Sequence, residues 1–124
     1  KKLCLIRRYI GKFLAEKEFH EKGDIKDSAP YCRHLGRATG FTYEAEGYLI
    51  DMEPDFYSLD YLAAWAGADV LSQFLEIRFG QEWFNRAEAG AFLREIASSG
   101  RRDGLEKVLE DHCGETLRLP DFDS

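Results

Sequence analysis

Cysteine, proline and methionine are all scarce in this chain, at three, three and one among 124 residues. Cys4, Cys32 and Cys113 are an odd number at wide spacing, which does not make a disulfide framework and reads as reduced thiols in a cytoplasmic protein. A secretory leader is not legible either, because Arg7 and Arg8 interrupt the apolar residues that follow Lys1 and Lys2. With 3 Pro and 11 Gly, collagen and linker-like polymers are excluded. Long apolar runs are missing too. The longest, residues 61–68, falls well short of the about 20 residues a membrane span requires. Positive charge is in deficit, with 17 Lys and Arg against 23 Asp and Glu, a formal net charge of -6 and a pI near 5.1. Such a field repels phosphate backbones and anionic lipid surfaces, so neither a nucleic acid nor a membrane is expected as a partner.

Short chemical motifs are equally sparse. There is no H-E-x-x-H, no paired-cysteine spacing of the zinc-binding kind and no G-x-S-x-G. His20, His34 and His112 place no pair on one helix face. Cys32-x-His34 and His112-Cys113 are too short to stand as ligand motifs. No metal site and no cofactor are expected from this chain's own residues.

Helical pattern is what the chain does have. Hydrophobic residues make up 44% and aromatics 14%, enough to bury a core in one domain of this length. Leu3, Ile6, Ile10, Phe13 and Leu14 recur at three- and four-residue intervals and predict a helix over 2–21, with Arg7, Arg8, Lys12, Glu16 and Glu18 on its solvated remainder and Gly23 ending it. The basic group of Lys1, Lys2, Arg7, Arg8 and Lys12 reads as part of that solvated face, held by intrahelical ion pairs. Asp27, Ser28 and Pro30 open a second helix over 29–39 that Gly40 stops. Residues 41–54 are less regular, with Tyr43, Tyr48, Leu49 and Ile50 as apolar anchors and a short helix over 44–49.

Asp55 is placed to cap the longest element, a helix over about 56–79 closed by Gly80. Its centre, Ala63-Ala64-Trp65-Ala66-Gly67-Ala68, is built of small residues that admit a close neighbour, and its apolar residues spread nearly all round, as suits the centre of a bundle. Trp83 and Phe84 sit on a short turn. Asn85 with Glu88, and Asp103 with Glu106, have capping-box spacing and open helices over 86–98 and 104–112. In the former, Ala91, Phe92, Leu93 and Ile96 are expected to face inward. The tail 118–124 is expected to be extended, broken by Pro120. The prediction is a single all-α domain over 1–124, a bundle of five to six helices.

One pair of residues carries candidate chemistry. Tyr57 and Tyr61 are four apart and project from one face at the start of the long helix. Paired phenols can donate hydrogen bonds to an oxyanion or to a peptide carbonyl. Equally, two tyrosines there can be amphipathic core-edge residues, rings inward and hydroxyls in water. Asp60 beside them is a polar partner or a first-turn charge favoured by the helix dipole.

The segment containing that pair resembles the C-terminal helical region of zinc oligopeptidases, the oligoendopeptidase F and thimet oligopeptidase group of gluzincin metallopeptidases. The resemblance is carried by Phe56-Tyr57-Ser58-Leu59-Asp60-Tyr61-Leu62-Ala63-Ala64-Trp65, by Phe79-Gly80-Gln81-Glu82-Trp83-Phe84, and by Ala89-Gly90-Ala91-Phe92-Leu93 with Gly100 beyond. Residues Arg8-Tyr9-Ile10-Gly11-Lys12 through Phe19-His20 resemble the preceding helix. The resemblance implies an all-α C-terminal domain that walls a peptide-binding cleft, with zinc held by an H-E-x-x-H helix and a downstream glutamate elsewhere in the parent enzyme. It implies that Tyr57 and Tyr61 assist at the substrate carbonyl or oxyanion. Leu59 stands where many members carry a further tyrosine, and no histidine falls between His34 and His112.

The chain opens on Lys1 within a helical pattern rather than on Met, so it is expected to be a piece of a longer protein, inactive alone. An apolar surface uncovered by truncation would then favour dimerisation. The alternative is a non-catalytic helical module for interaction, dimerisation or ligand binding.

Overall fold

A computed structural model describes residues 2–118. Among these, every regular element is helical: α1 (Lys2–Lys22), α2 (Ala29–Thr39), α3 (Tyr48–Asp51), α4 (Tyr57–Phe79), a 3-10 turn (Trp83–Asn85), α5 (Ala87–Ser98) and α6 (Leu105–Cys113). The chain divides into two compact units, Lys1–Leu62 and Ala63–Ser124. Lys1 and the tail from 119 onward, including Pro120, lie outside the described residues.

In the first unit α1 packs on α2. Their joint core is Ala15, Phe19, Tyr31 and Leu35, with Cys32, Tyr43, Tyr48 and Met52 packed at its edge. Close approach depends on Gly11, where an added Cβ would lie 3.0 Å from the Leu35 Cα and 3.2 Å from the His34 carbonyl oxygen. The face that α1 buries is not the one its apolar residues suggest. Ile6, Gly11, Lys12, Ala15, Glu16 and Phe19 are buried, whereas Leu3, Ile10 and Leu14 are exposed. The expected solvated charges Lys12 and Glu16 are each only 4% exposed. Charge partners on the α3–α4 segment outweigh the local apolar periodicity, since a buried charge is tolerated when it is paired.

α2 begins as anticipated at Asp27, whose carboxylate accepts the Ala29 N–H at 2.9 Å. Ser28 makes no side-chain capping bond. Gly40 ends the helix at φ 80°, its N–H bonded to the Gly36 carbonyl at 2.8 Å, the left-handed stop that glycine adopts without a Cβ clash. The short helix is α3 at 48–51 rather than 44–49, and two of its expected anchors, Leu49 and Ile50, are exposed while Tyr43 and Tyr48 pack inward.

Asp55 does not cap α4 in the expected way. Asp55 and Phe56 both occupy the left-handed region, at φ 60° and 55°, a conformation costing non-glycine residues about 1–2 kcal/mol each. The Phe56 N–H is taken instead by Glu16 Oε1 at 2.6 Å. The Phe56 ring stacks on His20, with centroids 4.8 Å apart. These contacts fix the bend that launches α4.

The second unit is apolar and local. Ala66, Val70, Leu75, Ala89 and Leu109 are buried. Phe92 packs against Phe74 at 5.5 Å and Phe79 at 6.1 Å, with the Arg78 guanidinium 5.1 Å from its centroid. Gly67 makes room for a side chain, Leu105, rather than for a helix backbone. α4 is not apolar-buried all round, since Ile77 is 85% exposed. In α5 the inward residues include Ala89, while Ala91 faces solvent. Neither expected capping box forms: α5 and α6 start after Arg86 and Gly104, with no side-chain capping bond at either. Glu88 and Glu106 thereby fall at the second helical position, one short of the place from which a capping-box glutamate reaches back.

Candidate functional site

The candidate site lies in the first unit, where α1, α2, α3 and the opening of α4 converge. Helical spacing brings Tyr57 and Tyr61 edge to face, with centroids 5.1 Å apart. Tyr9 of α1 adds a third phenol, its ring 4.9 Å from that of Tyr61. Tyr57 is half exposed, and Tyr9 and Tyr61 are partly buried.

Burial and electrostatics hold two of these phenols, Tyr9 and Tyr61, in their protonated form. Tyr61 is pushed up from its ordinary value first by the Tyr57 phenol, with which it shares a hydrogen bond, and then by burial. Burial is also the main cause of the rise at Tyr9, followed by the Glu53 carboxylate. A tyrosine whose titration is raised stays an O–H donor throughout the physiological range. Tyr9 and Tyr61 are therefore suited to donating hydrogen bonds to a carbonyl or an oxyanion, not to acting as bases.

Beside the phenols runs a polar network that fixes the α3–α4 segment to α1. Arg8 Nη2 donates to Asp51 Oδ1 at 2.5 Å and Nη1 donates to the Tyr43 hydroxyl at 3.3 Å. The Tyr31 hydroxyl donates to Asp51 Oδ2 at 2.7 Å. Burial, then this bond to a carboxylate, drives the Tyr31 phenol well above its usual range. Lys12 Nζ lies 3.4 Å from Glu53 Oε2 and 3.9 Å from Asp51 Oδ1, and sits 5.1 Å from the Tyr9 ring centroid. Arg8 and Lys12 thus serve tertiary pairing rather than the expected intrahelical pairs. Arg7 likewise reaches the Ala38 carbonyl on α2.

The sequence pointed to Tyr57 and Tyr61, and the two do meet. It missed Tyr9, Arg8, Lys12, Asp51 and Glu53 as their surroundings. A signal existed in Lys12 and Glu16, which stand in register with Ala15 and Phe19 on one side of α1, but charge at those positions reads as solvent. Asp60 is exposed in the first turn of α4. Among the described residues, no group of three or more His, Cys, Asp or Glu is arranged to hold a metal ion. His34 lies 2.7 Å from Glu18 Oε2, the three cysteines are free, and no helix among the described residues is long and apolar enough to cross a membrane. No family model, curated protein or solved structure matches the chain.

Proposed function

We propose that this chain forms one wall of the peptide-binding cleft of a zinc-dependent oligopeptidase, with Tyr57 and Tyr61 donating hydrogen bonds to the substrate carbonyl or oxyanion. The observation that supports this reading is the gathering of Tyr9, Tyr57 and Tyr61 into one group, in which the Tyr9 and Tyr61 hydroxyls are held protonated. The described residues do not fit a zinc site. Zinc would be held elsewhere in the parent protein. On this reading the chain alone is inactive, its partner is a peptide, and the free thiols of Cys4, Cys32 and Cys113 suit a cytoplasmic setting.

The test is peptide cleavage and zinc content of the complete gene product. The reading expects bound zinc, and a fall in kcat of about 10²-fold in the Tyr57→Phe/Tyr61→Phe double variant, the scale of losing an oxyanion donor. Full activity in that variant removes the role of the phenols. Absence of cleavage and of zinc removes the peptidase reading.

A second reading, a helical interaction module, is favoured by the exposed stripe of Leu3, Ile10 and Leu14 along α1. It expects the chain to dimerise through that stripe, and an Ile10→Glu/Leu14→Glu variant to be a monomer of unchanged helicity. Light scattering that finds a monomer at high concentration counts against it.

A further inference from the structure

A cleft of about 530 Å³ opens in the first unit, away from the ring faces of the three phenols. That volume lies in the range of small-molecule sites. Phe19 from α1, Ile25 from the link to α2, and Leu49 from α3 give it apolar walls. Its charged lining is Glu16, Glu53 and Asp55, with His20 as the one potential cation, and neither lysine nor arginine lines it among the described residues.

Glu16 decides what the cleft is suited to hold. The residue is 4% exposed. Its Oε1 accepts the Phe56 N–H at 2.6 Å and lies 4.0 Å from His20 Nε2. Its Oε2 is buried with no hydrogen-bond partner among the described residues. A desolvated carboxylate oxygen with no donor is costly and uncommon, and because Glu16 lines the cleft, a ligand donor that the carboxylate turns to meet would relieve it. Lys12, one turn earlier, is committed to Glu53 and Asp51 and leaves that oxygen unmet. The adjoining backbone, Asp55 and Phe56, is the strained left-handed pair, and such strain concentrates where ligands are held.

The geometry points to a binding site for an organic ammonium ion carried on an apolar body, with Glu16 receiving the N–H and the apolar walls receiving the rest. A single unmet oxygen matches a point-like ammonium better than a guanidinium, whose fork asks for two acceptors. A bare metal ion is disfavoured because the described carboxylates and histidines make no ligand group of three. The ammonium would belong either to a free amine or to the N-terminus of a peptide. This inference does not rest on the peptidase reading, because the chain alone suffices to test it.

The experiment is an NMR titration of the chain with phenethylamine and with its neutral isostere 2-phenylethanol. Phenethylamine is expected to shift amide signals of Glu16, Leu49 and Phe56, and to bind at least about tenfold more tightly than the alcohol, the worth of a hydrogen bond to a charged group. Glu16→Gln keeps an acceptor for the Phe56 N–H and should fold, yet lose that preference. Leu49→Trp, at an exposed position, should block both compounds by filling the cleft. The tripeptide Phe-Ala-Ala and its acetylated form separate the sources: binding of the free form alone assigns a peptide N-terminus, and binding of neither, with phenethylamine retained, assigns a free amine. Equal affinity for amine and alcohol, an undiminished preference in Glu16→Gln, or amine binding that survives Leu49→Trp overturns the proposal.

Discussion

The two units of this chain are held together by different physics. In the first, ion pairs and hydrogen bonds join residues far apart in sequence: Arg8 to Asp51, Lys12 to Glu53, and Glu16 to the backbone of Phe56, over separations of 43, 41 and 40 positions. In the second, the ion pairs are mostly within one turn, such as Lys107 with Asp111 and Arg118 with Glu115. The apolar side chains of α4, α5 and α6 form its core. A polar network that replaces part of an apolar core is cooperative, because removing one member strands charges that are out of water. Local surface pairs are nearly independent and weak.

The largest effect should come from striking the network at its centre. Asp51→Ala takes the carboxylate from Arg8 and the Tyr31 hydroxyl and leaves Lys12 to Glu53 alone, and is expected to destabilise the first unit by about 2–3 kcal/mol, the scale of hydrogen bonds lost from a charged acceptor. Urea unfolding followed by circular dichroism, with amide exchange at α1 and α2, measures it. A loss below about 1 kcal/mol would place this network with ordinary surface pairs.

Glycine substitution sharpens the contrast at the next level. Gly11→Ala drives a methyl against backbone atoms of α2 at 3.0 and 3.2 Å. It should cost about 1–3 kcal/mol, as overpacking does. Gly67→Ala meets only the Leu105 side chain, at 2.8 and 2.9 Å, and Leu105 is partly exposed and free to swing aside. The expected result is near neutrality, since alanine regains about 1 kcal/mol of helix propensity. Equal losses at both positions would show that the two helix contacts are equally rigid.

Acid supplies a third comparison. Glu18 accepts hydrogen bonds from Arg33 and Lys22 and contacts His34, and these hold its carboxyl down at about 2 from an ordinary 4.5. Between those values the unfolded chain binds a proton that the folded chain does not. The stabilisation is therefore complete above about 4.5 and is lost as pH falls toward 2. Glu18→Gln should flatten that part of the stability–pH curve for the first unit, and an unchanged slope would assign the acid sensitivity elsewhere. The smallest effect is expected in the second unit, where Lys107→Ala removes one exposed pair and should leave the thermal unfolding midpoint almost unchanged.

Local chemistry made most helices readable. The predicted spans 29–39, 56–79 and 86–98 match α2, α4 and α5 to within one residue. The stops were readable because Gly40 and Gly80 take up left-handed conformations that other residues resist. The helix starts were less so. The Asn85 and Asp103 caps fail because each helix begins one residue later, a shift that no side chain near it announces. At the site, the pairing of Tyr57 with Tyr61 follows from helical spacing alone, while the approach of Tyr9 requires α1 to lie against the start of α4.

Sequence by itself determined that this protein is all-α, where most of its helices run, and that two phenols share one face, because these depend on bonds and contacts within a few residues. Only the tertiary structure decided which side of α1 turns inward. There Lys12 and Glu16 are buried and Leu3, Ile10 and Leu14 are left outside. The physical reason is that a charge enters the interior when opposite charges and backbone donors meet it there, and for α1 those partners stand some forty residues away.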